Sequence, residues 1–217
     1  MGSAGISGNV NGTIRVLVAD DHPVVRTGLV AVLVEQPDVA LAAEAENGAR
    51  AVALYRELHP DVCLMDLRMP VLDGVGAIRT ITTEFPAARI LALTTYEGDA
   101  DIRRALEAGA RGYLLKDMLL TEVIRAVRAV HRGERVIPHA VAARLSEFPE
   151  RSELTEREIE ILQLVARGLS NRAVARAIGR ADETIKVHLK NIFAKLNVSD
   201  RTEAVTVGLT RGLIHLD

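Results

Sequence analysis

The chain has one cysteine in 217 residues, so no disulfide can close within it. That scarcity fits a reducing, cytoplasmic setting. The residue itself, Cys63, sits in the apolar run VCLM, where it reads as a small buried hydrophobe. No apolar run approaches the roughly 20 residues needed to cross a bilayer, so no membrane association is expected. The first twelve residues, MGSAGISGNVNG, lack both the basic start and the apolar stretch of a signal peptide, and read as a disordered tail. The six histidines are scattered, none beside the cysteine or another close histidine, which excludes a zinc centre built from such a cluster. Charge of one sign is also lacking. The net charge is −2: residues 1–151 carry 17 basic and 20 acidic groups, and residues 152–217 carry 10 and 9. Any case for nucleic-acid binding must therefore rest on local placement.

What is present is an alternation. Five short apolar runs read as strands: Ile14–Ala19, Val39–Ala45, Val62–Met65, Arg89–Thr94 and Gly112–Leu115. Amphipathic stretches of helical length lie between and after them, near 23–35, 49–58, 75–83, 99–108 and 120–131. Apolar strands alternating with helices predict an α/β fold, a five-stranded doubly wound parallel sheet covered on both faces, ending near Arg132. Residues 133–151 hold two prolines and no sustained period, and read as a linker with one short helix, Ala140–Leu145. The remainder, 152–217, is helical throughout in pattern. Thr155 and Glu158 form a capping-box signature. Ser170, Asp182, and Ser199 or Asp200 are placed to cap three further helices. Two helices across a tight glycine-containing turn are a helix-turn-helix signal.

Ligands of open α/β sheets bind beyond the carboxyl ends of the strands. This sequence places Asp20-Asp21 after the first strand, Asp66 after the third, Thr94-Thr95 at the fourth and Lys116 after the fifth. Three converging carboxylates repel one another and call for a cation; hard oxygens with room for water suit Mg²⁺. A lysine and a hydroxyl facing the metal complement an incoming phosphoryl group. Asp66 is then the natural nucleophile, forming an acyl phosphate.

DD near the start, MDLRMPVLDG, LTTY and GYLLKD together resemble the receiver domain of two-component response regulators, over residues 13–132 and in the flavodoxin-like class. The resemblance implies that a sensor histidine kinase phosphorylates Asp66. It implies that Asp20, Asp21, Asp66 and the backbone carbonyl of Arg68 hold Mg²⁺, and that Thr94 and Lys116 contact the phosphoryl oxygens. Tyr113 stands at the position of the family's switch aromatic. One departure is Asp117, where many receivers follow the lysine with proline; LuxR-type regulators often lack that proline.

In the segment Arg180–Arg201, Ile185, Leu189, Ile192 and Leu196 recur along one helical stripe. The opposite face carries Lys186, Val187, Lys190 and Asn191, a set able to read base edges in the major groove of double-stranded DNA. Lys195 and Arg201 are candidates for phosphate pairing. The run from Leu154 to Arg201 is similar to the LuxR-type DNA-binding domain of the NarL/FixJ regulators. That likeness implies base contacts from Lys186, Val187 and Lys190, a phosphate contact from Thr184, and a homodimer surface on the last helix. Arg180-Ala181 replaces the usual aliphatic-serine pair, and Glu183 stands where a neutral or basic residue is frequent. The leading expectation is a phosphorylation-controlled transcription regulator. Two alternatives stand beside it: a DNA-binding protein whose receiver is only a dimerisation scaffold, and an aspartyl-phosphate hydrolase. Against the hydrolase, Arg68 occupies the place of its acid/base carboxylate.

Overall fold

The computed structural model describes residues 12–94, 98–116, 120–137, 142 and 154–215. The expected tail, the short helix at Ala140–Leu145, Thr95 and Asp117 lie outside the described residues, Gly12 and Ala142 aside. The chain folds as two units: Met1–Thr95 with Ala105–Ile137, and Tyr96–Arg104 with Pro138–Asp217.

The first unit is built on strands β1 (Ile14–Ala19), β2 (Val39–Ala45), β3 (Val62–Asp66), β4 (Ile90–Thr94) and β5 (Gly112–Leu115). They form one parallel sheet in the order β2-β1-β3-β4-β5. Helices α1 (Pro23–Val34), α2 (Gly48–Leu58), α3 (Gly74–Glu84) and α5 (Leu120–His131) follow β1, β2, β3 and β5; α4 (Asp99–Glu107) follows β4 in the chain, with its residues up to Arg104 falling in the second unit. Strand alternation sorts the core into two layers. Val16, Val18, Leu64, Leu91, Leu93 and Leu114 pack with Leu29 and Leu33 of α1 and Val123, Val127 and Val130 of α5. Leu17, Cys63, Met65, Ala92 and Tyr113 face the other way and are fully buried. Each fully buried aliphatic contributes about 1.5–3 kcal/mol, so the buried strands hold the sheet without help from a disulfide.

The strand bounds differ from the sequence pattern at two ends. Asp66 lies inside β3, paired with Leu93, because the ladder continues through Leu67 N–H to the Leu93 carbonyl at 3.0 Å. Arg89 falls outside β4, though its carbonyl still accepts from Cys63 N–H.

The helical end comprises α6 (Glu156–Ala166), α7 (Asn171–Ala177), α8 (Asp182–Leu196) and α9 (Arg201–Thr210). Thr155 caps α6 in a complete capping box with Glu158. Ser170 caps α7, and Asp200 caps α9, accepting from Thr202 and Glu203 N–H at 2.8 Å. The expected cap of α8 is corrected. Ala181 takes the extended cap geometry and makes no side-chain bond, while Asp182 is the first helical residue. A residue already in helical geometry does not reach the N–H groups that a cap serves, and Asp182 Oδ1 has no hydrogen-bond partner. Ile185, Leu189, Ile192 and Leu196 are buried against Ile161, Leu162, Val165 and Val174.

Candidate functional site

The strand ends bring Asp20, Asp66 and Lys116 into direct contact. Lys116 Nζ lies 2.7 Å from Asp20 Oδ2 and 2.8 Å from Asp66 Oδ2. Both carboxylates are buried, and the lysine side chain is 7% exposed, so this contact is only weakly screened by water. Backbone contacts fix the groups in place. Lys116 N–H donates to the Thr94 carbonyl at 2.7 Å, which ties the end of β5 to the end of β4. Arg68 N–H donates to Asp66 Oδ1 at 3.2 Å, and His22 N–H to Asp20 Oδ1 at 2.9 Å. Arg26 braces the first loop, donating to the Asp20 carbonyl at 2.7 Å while pairing with Glu44.

Burial raises the Asp66 carboxyl above its ordinary value; Lys116 opposes the rise and Asp20 adds to it. The arrangement is short of positive charge: three aspartates surround one lysine. Asp20 Oδ2 and Asp66 Oδ2 share the single Lys116 ammonium, and Asp21 Oδ1 faces His22 Nδ1 at 2.7 Å. Three carboxylates gathered around one ammonium are the donor set of an oxygen-liganded dication, so the residues present fit one. Among the described residues, ligand atoms of Asp20, Asp21, His22 and Asp66 all lie within 4.8 Å of one another.

Thr94 closes β4 and is 1% exposed, and Tyr113 on β5 is fully buried beside Ala92. Two glycines in this region were missed as functional supports. A Cβ on Gly74 would lie 1.9 Å from the Asp66 carbonyl oxygen, and one on Gly48 2.3 Å from the Leu72 carbonyl oxygen. The signal for Gly74 is in the sequence, in the MPVLDG run, but the reason is a close backbone approach that no local pattern displays.

On α8 the structure exposes Lys186, Val187, Lys190 and Asn191 together, with Thr184 half-buried. Val187 is 59% exposed, unusual for a branched aliphatic on a helix with a complete buried stripe. Lys186 pairs with Glu183 at 2.7 Å, which raises the lysine above its usual value. Lys195 and Arg201 are engaged inside the unit. Lys195 Nζ lies 2.6 Å from Glu158 Oε2, and Arg201 donates to the Leu169 carbonyl at 3.0 Å.

The two halves match two known families separately. Residues 16–128 match the response regulator receiver domain. Residues 152–207 match the bacterial regulatory proteins of the luxR family. The chain belongs to the LuxR-type response regulators. Similar proteins span more than nine-tenths of this regulator. The transcriptional regulatory protein LnrK of Bacillus subtilis is 38% identical over 216 residues, covering 92% of this chain and 98% of that protein. The response regulator protein VraR of Staphylococcus aureus is 41% identical over 208 residues, covering 94% and 100%. Among solved structures, the response regulator ChrA of a heme-sensing two-component system is 40% identical with a TM-score of 0.57, covering 94% of this chain and 100% of that one. The regulator RcsB in its DNA complex is 27% identical with a TM-score of 0.66, covering 91% and 98%. No described helix of the regulator is long and apolar enough to cross a membrane.

Proposed function

We propose that the regulator is switched by phosphorylation of Asp66 and acts on double-stranded DNA through α8. Its working parts are a receiver over 13–132, a linker over 133–151 and a DNA-binding unit over 152–217. The observation that carries this reading is the contact of one buried lysine with two buried aspartates, one just beyond β1 and one ending β3. A carboxylate oxygen of Asp66 attacks phosphorus of a sensor kinase's phosphohistidine. The new O–P bond forms as the P–N bond breaks; the electron pair of that bond stays on the departing imidazole, which takes a proton from solvent. Lys116 then transfers its ion pair from Asp66 to a phosphoryl oxygen, and Thr94 donates its hydroxyl to another. Asp20, Asp21, Asp66 and the Arg68 carbonyl would hold Mg²⁺, which supplies charge neutralisation for the phosphoryl oxygens when bound.

Tyr113 acts as the switch aromatic by holding its buried position once Thr94 is engaged. The acyl phosphate hydrolyses slowly and no external substrate is turned over. Phosphorylation alters pairing of the chain into a homodimer through α9. Lys186, Val187, Lys190 and Asn191 read base edges, with Thr184 serving a flanking phosphate and Lys195 and Arg201 joining it when they release Glu158 and the Leu169 carbonyl. RcsB has been solved bound to DNA as dimers, which supports the same partners here. DNA as the target puts the regulator in the cytoplasm.

The test is acetyl phosphate labelling of the full chain with Mg²⁺, followed by a DNA footprint. The wild-type chain acquires label and protects two half-sites about one helical turn apart, whereas Asp66→Asn does neither. Equal footprints with and without the phosphoryl donor would overturn the coupling.

A further inference from the structure

The residue after the paired aspartates is a histidine, and its ring turns toward them. His22 Nδ1 lies 2.7 Å from Asp21 Oδ1 and 3.7 Å from Asp20 Oδ1. The contact with Asp21 is an ion pair when the ring carries its proton, and a metal dication can take that proton's place between the nitrogen and the carboxylate. The ring does not cap α1, although His22 occupies the cap position. The backbone leaves residue 22 little freedom. Pro23 follows it, its own geometry is extended, and its N–H is bonded to Asp20 Oδ1.

A dication about 2.0–2.2 Å from each ligand holds neighbouring ligand atoms roughly 3 Å apart and opposite ones roughly 4.2 Å apart. The ligand atoms of Asp20, Asp21, His22 and Asp66 all lie within 4.8 Å of one another, so one ion reaches all four after small side-chain adjustments. Three of these groups are carboxylates and the fourth is an imidazole. Mg²⁺ takes oxygen ligands and gains little from a nitrogen, whereas first-row transition dications gain steadily along the series toward copper.

We propose that His22 supplies a nitrogen ligand to this site and tilts it toward a first-row transition-metal dication over Mg²⁺. The inference rests on the metal reading of the same acidic pocket and deepens it. Asp20 and Asp66 set the charge of the site, and His22 sets its selectivity. The histidine is 68% exposed, so replacing it disturbs no packing.

The experiment uses the full chain with Co²⁺ and Mg²⁺ as probes. Calorimetric titration gives the ratio of the two affinities for the wild type, His22→Ala and His22→Gln. The ratio is expected to fall by about tenfold or more in both variants. His22→Gln offers an amide oxygen in place of the ring nitrogen, so it reads selectivity while keeping a polar side chain at the rim. Proton NMR of the Co²⁺-loaded wild type is expected to show a hyperfine-shifted, exchangeable imidazole N–H that is absent from both variants. An unchanged affinity ratio, or no shifted imidazole N–H in the wild type, overturns the proposal. Acetyl phosphate labelling of the wild-type chain in Mg²⁺ decides the phosphoacceptor reading separately, so failure of one leaves the other standing.

Discussion

Lys116 and Asp66 meet at 2.8 Å in the rim of the sheet, and the same ammonium stands 2.7 Å from Asp20. One cation thus serves two buried anions, Asp20 just beyond β1 and Asp66 at the end of β3. The consequence is an imbalance that favours arrival of further positive charge, and it makes the three side chains unequal under mutation.

Removing the lysine strands two buried carboxylates with no counter-charge. Lys116→Met is expected to destabilise the chain by about 3–5 kcal/mol, the cost of breaking a buried pair on one side. Urea denaturation at neutral pH measures it. Added Mg²⁺ is expected to restore part of the loss, because a dication replaces the missing charge.

Removing Asp66 has the opposite sign, since Lys116 keeps Asp20. The Asp66 carboxyl is raised in the folded chain, so the folded state holds its proton more tightly than the unfolded state does. Its contribution to stability therefore declines as pH rises from the unfolded value near 3.8 through the raised folded value. Asp66→Asn removes that decline. The variant is expected to be more stable than the wild type at neutral pH without divalent metal, by about 1 kcal/mol. Thermal melts at pH 4.5 and pH 7 check it, with the gap between the two proteins wider at pH 7.

Glu158 reverses this pattern in the helical unit. Burial raises its carboxyl, but Lys195 and the Thr155 N–H and hydroxyl outweigh burial and leave it below its ordinary value. A depressed carboxyl stabilises the fold above the unfolded value near 4.5, and that stabilisation fades as pH falls through the folded value. Glu158→Gln is expected to lose stability at pH 7 and to converge on the wild type in acid. Circular dichroism at 222 nm across a pH series reads this.

Glu183 holds Lys186 at 2.7 Å on the exposed face of α8. On DNA the lysine must leave that partner, and the freed carboxylate then stands near phosphates. Glu183→Gln removes both costs, and DNA affinity is expected to rise about two- to fivefold. Fluorescence anisotropy with a duplex carrying the footprinted site measures it. The gain should shrink at high salt.

Val71 has φ of 70° and is 88% exposed, so a β-branched residue occupies a left-handed conformation without burial to offset it. Val71→Asn is expected to stabilise the chain by about 1 kcal/mol in guanidinium denaturation.

Much of the fold was open to sequence reasoning. Strands β1, β2 and β5 have the residue bounds their apolar runs suggested; β1, covered on both faces, is apolar nearly end to end, while edge strand β2 admits the exposed Glu44. The end of β3 was less visible. Asp66 breaks the apolar run, and only its pairing with Leu93 shows that the backbone continues as strand. The cap of α8 is not legible in residue type: Asp182 is a good capping residue, but the chain turns at Ala181 and makes that the cap. In the sequence His22 is one of six scattered histidines. Its nearness to Asp21 depends on the path of the loop between β1 and α1, which Arg26 and Pro23 shape.

By itself the sequence determined the kinds of groups available, the order of strands and helices, and the buried stripe of α8. These follow from local periodicity, which each segment carries alone. Only the tertiary structure decided that Lys116 lies between Asp20 and Asp66, that Gly74 must lack a side chain, and that Lys195 and Arg201 are engaged within the helical end. Those relations depend on the register of strands and the approach of backbones far apart in sequence, and no spacing along a single segment encodes a distance between two of them.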